Sequence, residues 1–170
     1  HLPARHQHLS AMRLRAAALL VLVAAAPADT PADTPMGVVR LHPPLPAPCV
    51  SSPFGPRAGQ MHRGTDLPAP AGAWVTAAAA GRVVSIRRIG ASGLAVELRH
   101  ADGSRTRYAG TVPPALAEGR AEVAAGERLG RVGRTGVSRG THLHFELFLT
   151  NEPVDAAPIL QLRACRRTGD

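Results

Sequence analysis

Residues 141–149 read THLHFELFL, and the alternation within this stretch decides the predicted fold class. Successive side chains of a β-strand point to opposite faces of the sheet, so every second residue shares a face. One face is polar and consists of His142, His144 and Glu146. The other face is apolar and consists of Leu143, Phe145, Leu147 and Leu149. The stretch therefore predicts a strand that covers a core with one face and presents polar groups on the other.

Further short segments have strand character. They cover residues 81–89, 94–99, 104–109 and 127–132. Between the second and third of these, residues 101–103 read Ala-Asp-Gly, which is typical of a hairpin turn. The best helical segment, residues 114–120, is about two turns long. The 17 Gly and 16 Pro of the chain also argue against a helical bundle. We predict an all-β domain of mainly antiparallel sheets with minor helix.

Composition narrows the function classes. The 170 residues are 45% hydrophobic, which is enough to build one packed domain. The formal net charge is +8, and all 20 basic residues are arginine. Aromatic residues make up only 3% of the chain, so few side chains are present on which bases could stack. The composition therefore argues against a nucleic-acid partner.

The N-terminal residues 1–28 have the pattern of a leader and signal peptide. Met12 begins a basic Met-Arg-Leu-Arg stretch, an apolar run follows over residues 16–26, and residues 26–28 read Ala-Pro-Ala. The run is shorter than the roughly 20 apolar residues that a membrane span needs, although an N-terminal anchor helix is an alternative. We expect export to the periplasm or secretion, with no stable membrane span after cleavage.

Cleavage after residue 28 would remove three of the 20 arginines and none of the 12 acidic residues, which leaves a formal charge of +5. Such a charge would attract anionic polymers of the cell envelope, or it would simply form a solvated basic surface. Residues 29–48 are rich in proline and predict an extended linker. The folded domain is expected over residues 49–165, followed by a tail over 166–170.

Cys49 and Cys165 lie at the two ends of the expected domain. In an oxidising compartment this pair predicts a disulfide that joins the ends, while two unpaired thiols are the alternative.

Four side chains are candidates for a metal site. His142 and His144 share the polar face of the predicted strand, and His62 and Asp66 lie in the segment HRGTD at residues 62–66. Gly64 and Pro68 disfavour a helix there, so we expect a loop to bring His62 and Asp66 together. Imidazole and carboxylate are ligands that Zn²⁺ accepts, and three of them leave a position for water. The alternative is that these side chains form a solvated polar face. We expect His100, which precedes the Ala-Asp-Gly turn, to be a solvated hairpin residue.

Three motifs resemble the lysostaphin/LytM-type zinc metalloendopeptidases. They are SPFGPR at residues 52–57, HRGTDL at 62–67 and GTHLHFE at 140–146, with AAGRV at 79–83 and GERLG at 126–130 in the same order between them. The resemblance implies the duplicated hybrid motif fold, with zinc in a groove of an antiparallel β domain, and cleavage of peptides in bacterial peptidoglycan. It also implies that His62, Asp66 and His144 ligate Zn²⁺ and that His142 is catalytic.

One position departs from the family pattern. The family usually has a second catalytic histidine in a Tyr-x-His step, whereas this chain reads Tyr-Ala-Gly at residues 108–110. Gly110 has no side chain that could move a proton or stabilise an oxyanion. Two hypotheses therefore stand: an exported zinc endopeptidase, or a catalytically impaired module that binds cell wall or regulates a partner wall hydrolase. An iron-dependent oxygenase also fits two histidines and a carboxylate, but not the motif order.

Overall fold

The computed structural model describes residues 40–90, 93–112, 122–133 and 140–166, and these ranges contain no α-helix. Twelve strands lie in them: β1 Gly55–Arg57, β2 Gln60–His62, β3 Thr65–Pro68, β4 Trp74–Thr76, β5 Gly81–Arg88, β6 Leu94–Arg99, β7 Arg105–Ala109, β8 Thr111–Val112, β9 Glu122–Val123, β10 Arg128–Val132, β11 His142–Leu149 and β12 Glu152–Val154. The predicted all-β class is confirmed, and all named strand pairs are antiparallel. The predicted helix over residues 114–120 lies outside the described residues.

Strand β11 is the hub of the main sheet. This sheet has the order β12-β11-β7-β6-β5-β9, with β3 also paired to β11. The first half of β11 pairs with β3 and its last residues pair with β12, while β7 runs along the opposite edge. The strand that the alternating sequence predicts is therefore bonded on both edges. Its residues are held in one register by three neighbours.

Two smaller sheets complete the described architecture. Strands β1 and β2 form a hairpin whose loop residues, Ala58 and Gly59, both have positive φ, at 46° and 74°. Two such residues suit the turn that matches the natural twist of a hairpin. Strands β4, β10 and β8 form a three-stranded sheet. The β1–β2 hairpin ends at His62, one of the candidate metal ligands.

The apolar face of β11 covers the core as predicted, except at its end. Leu143, Phe145 and Leu147 are fully buried, but Leu149 is 40% exposed. Leu149 is the last residue of the strand, and the chain then turns through Thr150 and Asn151, both with positive φ, into β12. The core therefore ends before Leu149, and the prediction that Leu149 is buried was wrong.

The opposite face contains an unexpected buried aromatic residue. Phe148 is only 2% exposed, because the guanidinium groups of Arg105 and Arg107 lie over its ring, 4.6 and 4.8 Å from the ring centre. Cation–π contacts of this kind let arginine side chains cover an aromatic ring on a polar surface. This face is therefore packed rather than freely solvated.

The two ends of the described chain are joined. The predicted disulfide between Cys49 and Cys165 is present, with 4.8 Å between the Cα atoms. Beside it, the backbone N–H of Val50 donates to the carbonyl of Arg163 at 2.8 Å. In the proline-rich segment before Cys49, Leu45 is 5% exposed and packs in the core. None of the described residues forms a helix long and apolar enough to span a membrane.

Candidate metal centre

His62 and Asp66 are brought together by a tight connection between two short strands. His62 is the last residue of β2, and Asp66 is the second residue of β3. At Gly64, between them, an added Cβ would lie 2.6 Å from the carbonyl oxygen of Phe145 and 2.8 Å from the ring of His144. Only glycine fits there without displacing backbone atoms. His62 and Asp66 therefore lie close together, and the short connection of residues 63 and 64 between β2 and β3 joins them.

His144 reaches the same point from a distant part of the sequence. The antiparallel register of β3 and β11 places Asp66 directly opposite His144. His62 Nε2 lies 3.2 Å from both Asp66 Oδ1 and His144 Nδ1, and His144 Nδ1 lies 2.8 Å from Asp66 Oδ1. These three side chains, of His62, Asp66 and His144, form a group that could hold a metal ion. We call them the ligand cluster.

Each histidine of the ligand cluster is oriented through its other ring nitrogen. His62 Nδ1 lies 2.7 Å from the carbonyl oxygen of Pro53, and His144 Nε2 lies 3.0 Å from Glu146 Oε1. Since both acceptors lack hydrogen, the N–H groups of the imidazoles point to them. When the imidazoles are neutral, the lone pairs of His62 Nε2 and His144 Nδ1 then face the centre of the cluster. Partners that fix the tautomer in this way are usual for metal-ligating histidines.

The donor set fits zinc. Ligand atoms around a tetrahedral Zn²⁺ with bonds of about 2.0–2.1 Å lie about 3.3 Å apart. Two of the three separations in the ligand cluster are 3.2 Å, and the third is 2.8 Å. Two imidazole nitrogens and one carboxylate oxygen also form a common catalytic zinc set, with a position left for water.

His142 lies at the edge of this cluster. It is two residues before His144 on β11, and its Nε2 is 3.7 Å from Asp66 Oδ1. Its Nδ1 lies 3.2 Å from the carbonyl oxygen of Gly140. The side chain of His142 is 27% exposed, compared with 4% for His62 and 12% for His144. The four residues selected from the sequence therefore meet at one place, with His142 on the side that faces solvent.

The charges of the cluster support one another. Burial alone would raise the pKa of Asp66, but the hydrogen bond from His144 and the charges of His62, His144 and His142 outweigh it and lower that pKa. Burial alone would lower the pKa of His144, but hydrogen bonds to Asp66 and Glu146 raise it to about 9. Before a metal binds, His144 is therefore protonated at neutral pH. Any metal that binds must displace a proton from it.

Arg57 and Glu146 belong to the site as well, although sequence reasoning gave neither of them a role. Arg57 Nη1 lies 3.6 Å from Asp66 Oδ2 and donates to the hydroxyl of Ser52. Glu146 contacts His144 as described above. The alternation of residues 141–149 placed Glu146 on the same face as His144, and that was the available signal.

His100 lies away from the site, and the prediction that it is solvated was wrong. It is 4% exposed, its Nδ1 lies 2.8 Å from the carbonyl oxygen of Ala80, and its Nε2 lies 2.8 Å from the hydroxyl oxygen of Thr106. The imidazole therefore joins β7 to the segment before β5. A turn sequence alone does not show that the ring folds back under the sheet.

Gly110 lies next to the site, in a backbone conformation that favours glycine. Its φ is +79°, and an added Cβ would lie 3.1 Å from the carbonyl oxygen of His142. Residues with side chains rarely adopt this conformation. The backbone at this position is thus shaped for glycine.

The sequence profile of Peptidase family M23 matches residues 60–156, which include all four site residues. The chain belongs to this family. The M23 chain is 40% identical over 116 residues to the DD-carboxypeptidase/endopeptidase Mpg of Neisseria meningitidis, a match that covers 65% of this chain and 26% of that protein. It is 35% identical over 95 residues to the peptidoglycan DD-endopeptidase ShyB of Vibrio cholerae, covering 56% of this chain and 22% of that one. The M23 chain thus spans about a quarter of the length of these curated relatives.

Solved structures agree with this assignment. The catalytic domain of lysostaphin from Staphylococcus simulans superposes on the M23 chain with a TM-score of 0.58 at 29% identity, covering 65% of this chain and 90% of that one. A zinc-containing peptidase from Vibrio cholerae superposes with a TM-score of 0.61 at 28% identity, covering 75% of this chain and 41% of that one. The resemblance to lysostaphin/LytM-type peptidases is confirmed.

Proposed function

We propose that this M23 chain is an exported zinc endopeptidase that hydrolyses peptide bonds of bacterial peptidoglycan. The observation that carries the proposal is the convergence of His62 Nε2, Asp66 Oδ1 and His144 Nδ1, with His142 at the edge. The relatives named above are peptidoglycan DD-endopeptidases and DD-carboxypeptidase/endopeptidases, which supports a wall peptide as substrate.

His62, Asp66 and His144 would hold the zinc. When bound, zinc supplies Lewis-acid chemistry: it lowers the pKa of a coordinated water and polarises a carbonyl group. The protein contributes ligands that are already oriented, since Pro53 and Glu146 fix the two imidazoles. Little rearrangement is then needed when the metal enters.

His142 is the residue placed to move a proton. If its Nδ1–H donates to the carbonyl of Gly140, the lone pair on Nε2 is the basic site, and this atom lies on the side of Asp66. We assign to His142 Nε2 the acceptance of a proton from the attacking water and its later donation to the nitrogen of the leaving amine. Its 27% side-chain exposure gives substrate access to the ring.

Three features support export. Residues 12–28 have the order of a signal peptide, with a basic start, an apolar run and a small-residue exit. The Cys49–Cys165 disulfide suits an oxidising compartment such as the periplasm or the cell exterior. The formal charge of +5 that remains after residue 28 would favour contact with anionic wall polymers.

A second candidate function rests on Gly110. With no imidazole at this position, the chain would keep the zinc cluster and bind wall peptides, or regulate a partner wall hydrolase, without cutting efficiently. The positive φ of Gly110 supports this alternative, because the local backbone disfavours any residue with a side chain.

Release of soluble muropeptides from purified peptidoglycan separates the two candidates. The endopeptidase predicts release by the zinc-loaded protein, loss of release with a chelator, and products whose masses identify the cleaved bond. The binding module predicts a folded, zinc-loaded protein that sediments with peptidoglycan and releases nothing. Gly110→His tests the missing imidazole, with Gly110→Ala as the control for backbone strain. Activity gained only by Gly110→His would favour the second candidate.

A further inference from the structure

A row of charged side chains runs across the sheet beside the ligand cluster. Glu97 on β6, Arg107 on β7 and Glu146 on β11 are direct cross-strand partners. Arg107 donates to Glu146 Oε2 at 2.7 Å and to Glu97 Oε2 at 2.9 and 3.0 Å. The neighbouring row consists of Ala95, Ala109 and His144. The charged row therefore lies directly beside the row that contains a proposed zinc ligand.

Both carboxylates of this row are buried to the same degree. The side chains of Glu97 and Glu146 are each 7% exposed, and that of Arg107 is 13% exposed. Burying a carboxylate is costly unless it is paired and hydrogen-bonded, and here Arg107 pairs with both. They differ in one respect: Glu146 Oε1 also accepts from His144 Nε2 at 3.0 Å, whereas Glu97 accepts side-chain hydrogen bonds from Arg105 and Arg107.

We propose that Glu146, held in place by Arg107, is a positioning residue that presents His144 Nδ1 to zinc. This inference rests on the zinc-binding part of the proposed function. Glu146 fixes the proton of the neutral imidazole on Nε2, which leaves the lone pair on Nδ1. Glu146 also sets the rotation of the His144 ring, because the hydrogen bond between these two same-face neighbours of β11 holds Nε2 in place. Arg107 keeps the second carboxylate oxygen occupied, so Glu146 cannot itself swing towards the metal.

A purely structural role for the row gives a different expectation. Buried ion pairs often contribute little net stability and can be replaced by apolar side chains. If the row served stability alone, removal of Glu97 or of Glu146 would have similar consequences, and neither would change zinc affinity selectively. The equal burial and charge of the two carboxylates make Glu97 a matched control.

The test measures the zinc dissociation constant by competition with a chelator for the wild-type protein, Glu146→Gln, Glu146→Met and Glu97→Met. Thermal unfolding of the zinc-free proteins establishes folding. We expect Glu146→Met to weaken zinc binding by about 10–100-fold, the usual effect of losing such a partner. Glu146→Gln keeps an oxygen that can accept a hydrogen bond from His144, but it loses the negative charge that pairs with Arg107. Its zinc affinity should therefore lie between those of the wild type and Glu146→Met. Glu97→Met should bind zinc within a few-fold of wild type.

A second readout does not depend on affinity. Nitrogen-15 NMR of the imidazole groups reports which ring nitrogen of His144 carries the proton in the zinc-loaded protein. We expect a proton on Nε2 in the wild type and a weakened Nε2 hydrogen bond in Glu146→Met. Wild-type affinity in a folded Glu146→Met variant, or an equal loss in Glu97→Met, would overturn the inference alone. A wild-type protein that binds no zinc would overturn both this inference and the proposed function.

Discussion

Asp66 and His144 lie directly opposite each other in the pairing of β3 with β11, and His144 Nδ1 is 2.8 Å from Asp66 Oδ1. This one register places a carboxylate and an imidazole from distant parts of the chain in contact. A shift of β3 by one residue along β11 would turn Asp66 to the face opposite His144. The geometry of the ligand cluster therefore depends on the same pairing that closes the core.

Replacing His144 with alanine is expected to abolish zinc binding and with it any peptide hydrolysis. The change removes one of the three proposed ligands and leaves Asp66 without its closest side-chain partner. Metal content after purification without chelators and muropeptide release measure the two effects. His42→Ala is the control, because His42 is exposed and is not part of the ligand cluster. Full zinc content in His144→Ala would refute the ligand assignment.

Replacing His142 with alanine should separate chemistry from metal binding. His142 lies beside the ligand cluster but is not one of its three residues. We expect zinc content to remain and the turnover rate to fall by about 10²–10⁴, the range for loss of a general acid–base group. Rates with a synthetic wall peptide, measured at equal zinc occupancy, test this. An unchanged rate would remove His142 from the mechanism.

Gly64→Ala should damage the fold and the site together. An added methyl group would lie 2.6 Å from the backbone oxygen of Phe145 and 2.8 Å from the His144 ring, so β3 or β11 must move. We expect destabilisation of about 1–3 kcal/mol, as for overpacking elsewhere, and weaker zinc binding. Urea unfolding measures the first effect. Gly140→Ala is the stability control, since an added Cβ there meets no atom within 4 Å.

Glu97 should contribute stability that is lost in acid. Burial alone would raise its pKa, but hydrogen bonds from Arg107 and Arg105 and their charges lower it below the ordinary 4.5. A folded-state pKa below the unfolded one means that the contribution is present above pH 4.5 and is lost as the pH falls through the lowered pKa.

Unfolding free energies at pH 7 and about pH 3.5 for wild type and Glu97→Gln measure this contribution. The difference between the two pH values should be smaller in the variant. Glu122→Gln removes an exposed carboxylate, 68% accessible and paired with Arg82, and should leave the difference unchanged. Equal pH dependence in wild type and Glu97→Gln would contradict the prediction.

Loss of the disulfide should reduce stability strongly. Cys49 and Cys165 are 116 residues apart, and closing a loop of this size is worth about 4–5 kcal/mol in chain-entropy estimates. We expect a Cys49→Ala/Cys165→Ala protein to unfold at markedly lower denaturant concentration than the wild type. The wild type treated with a reductant should behave in the same way. Identical midpoints would show that the backbone bonds beside the disulfide already hold the ends.

The prediction succeeded where a long segment had a clear period. Residues 142–149 form one strand, and polar and apolar residues alternate over the first six of these eight positions. Strands β5, β6, β7 and β10 lie within the predicted segments to one residue. Strands β1, β2, β3, β4, β8, β9 and β12 were not predicted. Each is two to four residues long, too short for a period to be visible, and each exists because a neighbour supplies its hydrogen bonds.

The amino-acid sequence by itself determined the fold class, the family and the four residues of the site, because these depend on residue types at local spacings. Tertiary structure decided which atoms of those residues meet. The pairing of β3 with β11 selected Nδ1 of His144, Pro53 selected Nε2 of His62, and the row across β6, β7 and β11 placed Glu146 behind His144. Some of these contacts join residues that are far apart in the chain, and others depend on how an imidazole ring is rotated. Local spacing in the sequence carries no information about either property.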